Sequence, residues 1–141
     1  MARPVLVDSG PLVALLDRRD IHHKWVQREV ANLHEPLLTC EAVLSEVFFL
    51  LSRIRGGTST LSALLRDGLV STSLSFAYHE QSIEILRHLE RYSGVPMSFA
   101  DACLVRMSEI ERDSIIFTTD RDFLAYRRNR RQAIPLISPF N

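Results

Sequence analysis

Short apolar runs alternate along the chain with longer segments in which apolar residues recur every three to four positions. The short runs predict strands and the longer segments predict amphipathic helices. Strands are expected at residues 5–7, 37–39, 69–74, 115–118 and 134–137. The last run contains Pro135, which indicates an edge strand because proline cannot donate to a sheet ladder.

Helices are expected at residues 11–17, 20–33, 41–53, 58–66, 77–92 and 98–110. Thr58 and Ser98 stand at the N-cap positions of their helices, and Asp101 is the third helical residue after Ser98. Strands that alternate with helices favour a mostly parallel sheet of four to five strands covered on both faces. We therefore expect one α/β domain over residues 1–141.

The composition is ordinary for a globular protein, with 46% apolar residues, 24% charged residues and a net charge of zero. Without a net positive charge, nucleic-acid binding requires a local basic patch. The two cysteines lie far apart in apolar runs, which argues against a zinc site. No apolar run approaches the roughly 20 residues that span a bilayer. We expect a cytoplasmic protein without membrane contact.

Aspartates follow two of the predicted strands. Asp8 comes directly after the first strand, and Asp120 follows the fourth. Ligand sites in open parallel sheets form beyond the carboxyl ends of the strands, near the point where the strand order reverses. Taken singly, each aspartate is also typical of a turn or a helix N-cap, so position alone leaves both interpretations open.

Two further acids lie among apolar residues on predicted helices. The residues three and four positions from Glu46 are all apolar, and so are those three and four positions after Asp101. A carboxylate on a buried face costs several kcal/mol unless it is protonated, paired or bound to a metal. An arginine partner elsewhere in the fold is the alternative for Glu46, and a favourable helix-dipole position is the alternative for Asp101.

Together these four acids predict a metal site. Four carboxylates in one cleft cannot all stay ionised without a strong counter-charge. Oxygen ligands in this number suit Mg²⁺ or Mn²⁺ and do not suit zinc. Such a cation can activate water and stabilise the charge that develops in phosphodiester hydrolysis.

Four segments, taken in order, resemble the PIN-domain family, specifically the VapC-type toxins of prokaryotic toxin–antitoxin pairs. They are residues 5–17 (VLVDSGPLVALLD), 44–47 (LSEV), 98–102 (SFADA) and 116–123 (IFTTDRDF). Their order and separations fit that family over essentially the whole chain. The resemblance implies a three-layer α/β/α sandwich and a Mg²⁺- or Mn²⁺-dependent endoribonuclease.

The same resemblance implies a role for each acid. Asp8 and Asp101 would be the principal metal ligands, and Glu46 and Asp120 would complete the acidic cluster. Asp122 would be a fifth acid or, alternatively, the cap of a short helix that begins there.

Supporting residues and partners also follow from the resemblance. The hydroxyls of Ser9 and Thr118 would form hydrogen bonds to the carboxylates or to bound water. The partners would be RNA, a second copy of the chain and a small antitoxin that occludes the cleft.

The apolar run at residues 48–51 fits either a dimer or antitoxin surface or a helix buried on two sides. Many such toxins are markedly basic, whereas this chain is neutral. Its available patch, which either contacts RNA phosphates or is a solvated loop, is Arg127, Arg128, Arg130 and Arg131.

Three other functions are alternatives. A PIN nuclease can work in RNA processing or DNA metabolism without being a toxin. A non-catalytic PIN-like binding module would not need acids at all four positions. A phosphotransfer domain of the receiver type needs paired acids after the first strand and a late lysine, whereas Asp8 stands alone and the sole lysine is Lys24.

Overall fold

The computed structural model describes residues 3–73 and 75–140 of the chain. The strands are β1 (Val5–Val7), β2 (Leu37–Thr39), β3 (Val70–Thr72), β4 (Ile115–Phe117), β5 (Arg127–Arg128), β6 (Gln132–Ala133) and β7 (Leu136–Ile137). The helices are α1 (Ser9–Leu16), α2 (His23–Ala31), α3 (Glu41–Leu51), α4 (Gly57–Arg66), α5 (Tyr78–Arg91) and α6 (Phe99–Ile110). None of these helices is both long and apolar enough to cross a membrane.

Five of the strands form a parallel sheet in the order β3-β2-β1-β4-β7. Every residue of β1 is buried, as expected for a central strand whose two faces both carry helices. On these faces α1 packs against α2 and α3, and α5 packs against α6. The predicted α/β/α sandwich with a parallel central sheet is therefore confirmed.

The five predicted strands are all present: β1 and β2 have the predicted bounds, and the other three are shorter. The third begins at Val70 and ends at Thr72, while Leu74 of the predicted range lies outside the described residues. The last strand, β7, pairs with β4 at one edge of the sheet, where Pro135 precedes it. The carbonyl of Pro135 accepts a hydrogen bond from the Ile116 amide at 2.9 Å, so Pro135 takes part in the ladder as an acceptor although it cannot donate.

Two local predictions are wrong or incomplete. Thr58 does not cap α4, because the helix begins one residue earlier at Gly57 and Gly56 occupies the N-cap position. Gly56 has a φ of 75°, a left-handed conformation that glycine adopts without steric cost. The antiparallel hairpin of β5 and β6 was not predicted.

The chain order places a switch point at the carboxyl ends of β1 and β4. From β1 the chain proceeds through β2 to β3 in one direction, and then returns to β4 and β7 on the other side. Helices therefore diverge from this edge and leave a crevice. Asp8 lies at the crevice directly after β1, and its amide donates to the carbonyl of Phe117 in β4 at 3.0 Å.

Candidate active site

Three aspartates meet at this switch point. Asp8 follows β1, Asp120 follows β4 by three residues, and Asp101 is the third residue of α6. One carboxylate oxygen from each lies within 4.8 Å of those of the other two. Asp8 and Asp101 are buried and Asp120 is half-buried. This cluster has the donor type and spacing of a cation site.

The aspartates line an open cleft of about 760 Å³, called here the acidic cleft. Glu46 and Asp122 line it as well, so the structure brings all five acids singled out in the sequence to one cleft. Among the described residues that line it, none is basic. The negative charge is therefore not neutralised by the side chains of the cleft itself.

Two neighbours orient the carboxylate of Asp8. Oδ1 accepts a hydrogen bond from the Ser9 amide at 2.8 Å, with the Ser9 hydroxyl 3.5 Å away, and Oδ2 accepts one from the Thr118 hydroxyl at 2.8 Å. The Thr118 oxygen in turn accepts from the Asp120 amide at 3.0 Å. The buried Thr118 hydroxyl thus couples the residues that follow β1 and β4.

Asp101 is fixed by the start of its own helix and by a distant tyrosine. Its amide donates to Ser98 Oγ at 3.0 Å, and its Oδ2 accepts from the Ser98 amide at 3.3 Å, which completes a capping box. The hydroxyl of Tyr126 lies 3.1 Å from the same Oδ2 and 2.6 Å from the carbonyl oxygen of Pro96. The predicted N-cap role of Ser98 is confirmed, and both polar contacts of the Asp101 carboxylate converge on one oxygen.

Burial dominates the electrostatics of the cluster. Burial, and next the neighbouring charge of Asp101, raise the pKa of Asp8 from 3.8 to about 7, although the hydrogen bonds from Thr118 and Ser9 act in the opposite direction. Burial also raises the pKa of Asp101. The pKa of Tyr126 is raised by burial and by Asp101, so its hydroxyl is a neutral hydrogen-bond donor. No basic side chain among the described residues that line the cleft stabilises the ionised form of these carboxylates.

The remaining acids lie at the edge of the cleft. Glu46 is half-buried on α3, and of its apolar neighbours Phe49 is 72% exposed and Leu50 50% exposed. Apolar spacing therefore overstated the burial around Glu46. Asp120 caps the 3₁₀ helix Arg121–Leu124, since its Oδ1 accepts from the Asp122 amide at 2.9 Å. Capping by Asp122 is thus the wrong alternative.

The basic patch lies on and around the β5–β6 hairpin, away from the lining of the acidic cleft. Arg128 is buried and donates to the carbonyl of Ser108 at 3.3 Å. Arg127 donates to the carbonyls of Leu124 and Tyr126. Arg130 and Arg131 are exposed, and Arg130 lines a second groove beside α5 and α6.

Sequence reasoning missed two residues of the site. Tyr126 lies outside the matched motifs, and its contact with Asp101 joins positions 25 residues apart, which no local pattern reports. Gly10 lies within the first matched segment, but no role was predicted for it. A Cβ at this position would overlap the side-chain oxygen of Thr119, so glycine allows α1 to begin close to the end of β4.

A family model described as PIN domain matches residues 5–129 of the chain. The chain belongs to the PIN-domain family. Membership of this nuclease family supports a hydrolase that cuts phosphodiester bonds.

Solved structures share the PIN-domain fold. VapC20 from Mycobacterium tuberculosis, described as a sarcin–ricin loop cleaving toxin, has a TM-score of 0.75 and 23% identity, covering 86% of this chain and 93% of its own. PAE2754 from Pyrobaculum aerophilum has a TM-score of 0.52 and 22% identity, covering 89% of this chain and 86% of its own. At such identities the likeness shows the fold alone. No curated protein matches the chain.

Proposed function

We propose that residues 1–141 form a single PIN domain that hydrolyses RNA with Mg²⁺ or Mn²⁺ and acts as the toxin of a toxin–antitoxin pair. The observation that carries the proposal is the convergence of Asp8, Asp101 and Asp120 at the switch point, without a basic side chain among the described residues that line the cleft. Two of these carboxylates are buried. Clustered, buried carboxylates repel one another in the protein alone, and a bound cation would turn this repulsion into attraction.

The donor set fits Mg²⁺ or Mn²⁺. Asp8, Asp101 and Asp120 each offer one oxygen within the span of a single cation, and hard divalent cations prefer such oxygen ligands. The raised pKa of Asp8 gives a second reason, because a cation would keep this carboxyl ionised at neutral pH. A divalent cation held there would neutralise the carboxylates, polarise the phosphodiester and make water a stronger nucleophile.

The chain's own groups do the orienting. Thr118 and Ser9 hold both oxygens of Asp8, and Ser98 and Tyr126 hold one oxygen of Asp101, so neither ligand has to reorganise during the reaction. Glu46, half-buried at the rim, supplies a carboxylate that can accept a proton from the attacking water.

RNA as the substrate and an antitoxin as the partner rest on resemblance. The ordered motifs around Asp8, Glu46, Asp101 and Asp120 resemble those of VapC-type toxins, and VapC20, which shares the fold, is described as a sarcin–ricin loop cleaving toxin. The exposed side chains of Phe49 and Leu50 on α3 suit a homodimer or antitoxin contact. The mass of the purified protein by light scattering distinguishes a dimer from a monomer.

The test is cleavage of a mixed tRNA and rRNA pool by purified protein with Mn²⁺ or with EDTA. We expect cutting with Mn²⁺, no cutting with EDTA, and products with 5′-phosphate and 3′-hydroxyl ends, because an activated water attacks instead of the 2′-hydroxyl. End mapping by ligation and mass spectrometry checks this. A 2′,3′-cyclic phosphate, or cutting that survives EDTA, would contradict the proposal.

A further inference from the structure

A second groove, called here the arginine groove, lies between α5, α6 and the β5–β6 hairpin. Its volume is about 370 Å³. Four arginines and two glutamates line it: Arg87, Arg91, Arg106, Arg130, Glu84 and Glu109. With neutral histidine, the cationic groups exceed the anionic ones by two, on a chain whose net charge is zero. The groove is therefore a local cationic site of the kind that attracts phosphates.

Buried contacts hold the groove in shape. Glu109 accepts hydrogen bonds from His88 Nε2 at 2.9 Å, from Arg106 Nη1 at 3.1 Å and from the Asn129 amide at 2.6 Å. The Asn129 bond fixes the tip of the β5–β6 hairpin on α6, next to Arg130. Arg106 and Glu109 form one ion pair, and Arg87 Nη1 lies 3.2 Å from Glu84 Oε1 in another, so the excess positive charge of the groove lies on Arg91 and Arg130.

An aromatic pair lies at the opposite end of the same two helices. Tyr78 and Phe99 are the first residues of α5 and α6, and their ring centroids are 5.4 Å apart with planes inclined by 57°. Tyr78 is 43% exposed and Phe99 42% exposed. Phe99 precedes the cluster residue Asp101 by two positions, so the pair and Asp101 lie at the same end of α6.

The aromatic pair and the arginine groove lie along one path. The contacts Tyr78–Phe99, Gln81–Arg106 and His88–Glu109 show that α5 and α6 run side by side in the same direction. At 1.5 Å per residue, Glu109 lies about 12 Å along α6 from Asp101. The aromatic pair and Asp101 thus lie at one end of α6 and the arginine groove lies towards the other, a separation of a few nucleotide lengths.

We propose that the α5–α6 face binds the RNA strand as it leaves the acidic cleft, with a base stacked on Tyr78 and Phe99 and phosphates in the arginine groove. This inference rests on the proposed function. The five acids of the cleft repel an RNA backbone, so affinity has to come from elsewhere. Stacking aromatics combined with a cationic groove are how proteins hold single strands without sequence readout.

The test is the binding of a fluorescein-labelled, single-stranded RNA 12-mer, followed by anisotropy at several salt concentrations. All variants are made in the Asp101→Asn protein, called the parent, so that the RNA is not cut during the measurement. Adding Arg91→Gln and Arg130→Gln, which leave the Arg87–Glu84 ion pair intact, is expected to weaken binding about tenfold. The slope of log affinity against log salt should become shallower by roughly 0.7 for each phosphate that the variant no longer binds. Phe99→Ala should weaken binding about tenfold without changing this slope, and Phe99→Tyr should restore it.

The matched control is Arg28→Gln with Arg66→Gln, which removes the same charge from exposed arginines on α2 and α4. We expect this control to bind RNA as the parent does. Unchanged binding in the groove variants, or a loss confined to the control, overturns the proposed path. Binding that follows the expected pattern while the wild-type protein cuts no RNA supports the path and overturns the nuclease instead.

Discussion

Replacing Asp101 with asparagine is expected to lower RNA cleavage by at least about 10³-fold while leaving the fold intact. Loss of a metal ligand removes several kcal/mol of transition-state stabilisation, and each 1.4 kcal/mol corresponds to about tenfold in rate. The Tyr126 hydroxyl and the Ser98 amide both contact Oδ2. The amide oxygen of asparagine can take that place, so the substitution replaces only the oxygen that these contacts leave open.

Single-turnover cleavage in Mn²⁺ measures the loss, and thermal unfolding checks the fold. Asp113→Asn is the control, because Asp113 is exposed and outside the acidic cleft. Induced expression in bacteria should arrest growth for wild type and for Asp113→Asn but not for Asp101→Asn. Cleavage within about tenfold of wild type would overturn the ligand assignment, since so small a change corresponds to only about 1.4 kcal/mol. Cleavage without growth arrest would favour a nuclease of RNA processing over a toxin.

The central strands could be predicted because they are short, continuous apolar runs. Every residue of β1 is apolar, and β4 is equally apolar and ends before polar residues. Strands buried on both faces read as continuous apolar runs, so neither register nor neighbours were needed to recognise them. The placement of Asp8 and Asp120 followed from the ends of these strands.

The β5–β6 hairpin could not be predicted from the same kind of pattern. Its strands are two residues long and contain Arg127 and Arg128, which look like part of a solvated loop. The turn has positive φ at Asn129 (51°) and at Arg130 (73°), a conformation uncommon for residues other than glycine. The bond from the Asn129 amide to Glu109 anchors it, and that contact spans 20 positions.

The acids of the site were visible in the sequence, but their surroundings were not. Spacing on α3 indicated apolar neighbours for Glu46 without indicating that Phe49 and Leu50 face outward. The contact of Tyr126 with Asp101 and the grouping of arginines on α5 and α6 arise only when distant segments pack. The local sequence pattern therefore identified the acidic residues, whereas the residues that orient them and the distribution of positive charge depend on tertiary packing.

In the absence of metal, Asp8→Asn is expected to stabilise the protein at pH 8 by roughly 3 kcal/mol. The pKa of Asp8 is 3.8 in the unfolded reference and about 7 in the fold. Between these values the native protein holds a proton that the unfolded chain has released, so stability falls as pH rises towards 7. A shift of about three units corresponds to roughly 4 kcal/mol at 1.36 kcal/mol per unit. Asparagine loses one of the two hydrogen bonds accepted by Asp8, which costs about 1 kcal/mol.

Denaturant unfolding in EDTA at pH 5 and pH 8 measures this difference. Wild type should lose stability between the two pH values, Asp8→Asn should lose much less, and at pH 5 the two should be nearly equal. The raised pKa of Asp101 leaves some slope in the variant, whereas the lowered pKa of Glu109 acts below about pH 4.5 and lies outside the window. Asp67→Asn, at an exposed site, controls for the charge change.

Adding Mn²⁺ at pH 8 should reverse the order of stability. Wild type gains the free energy of metal binding, and Asp8→Asn, which lacks a ligand, gains little. The same carboxylate then destabilises the metal-free protein and stabilises the metal-bound one, as expected if the cluster is a binding site. Equal pH slopes in the two proteins would show that burial does not hold a proton on Asp8. A wild-type stability indifferent to Mn²⁺ would remove the cation from the proposal.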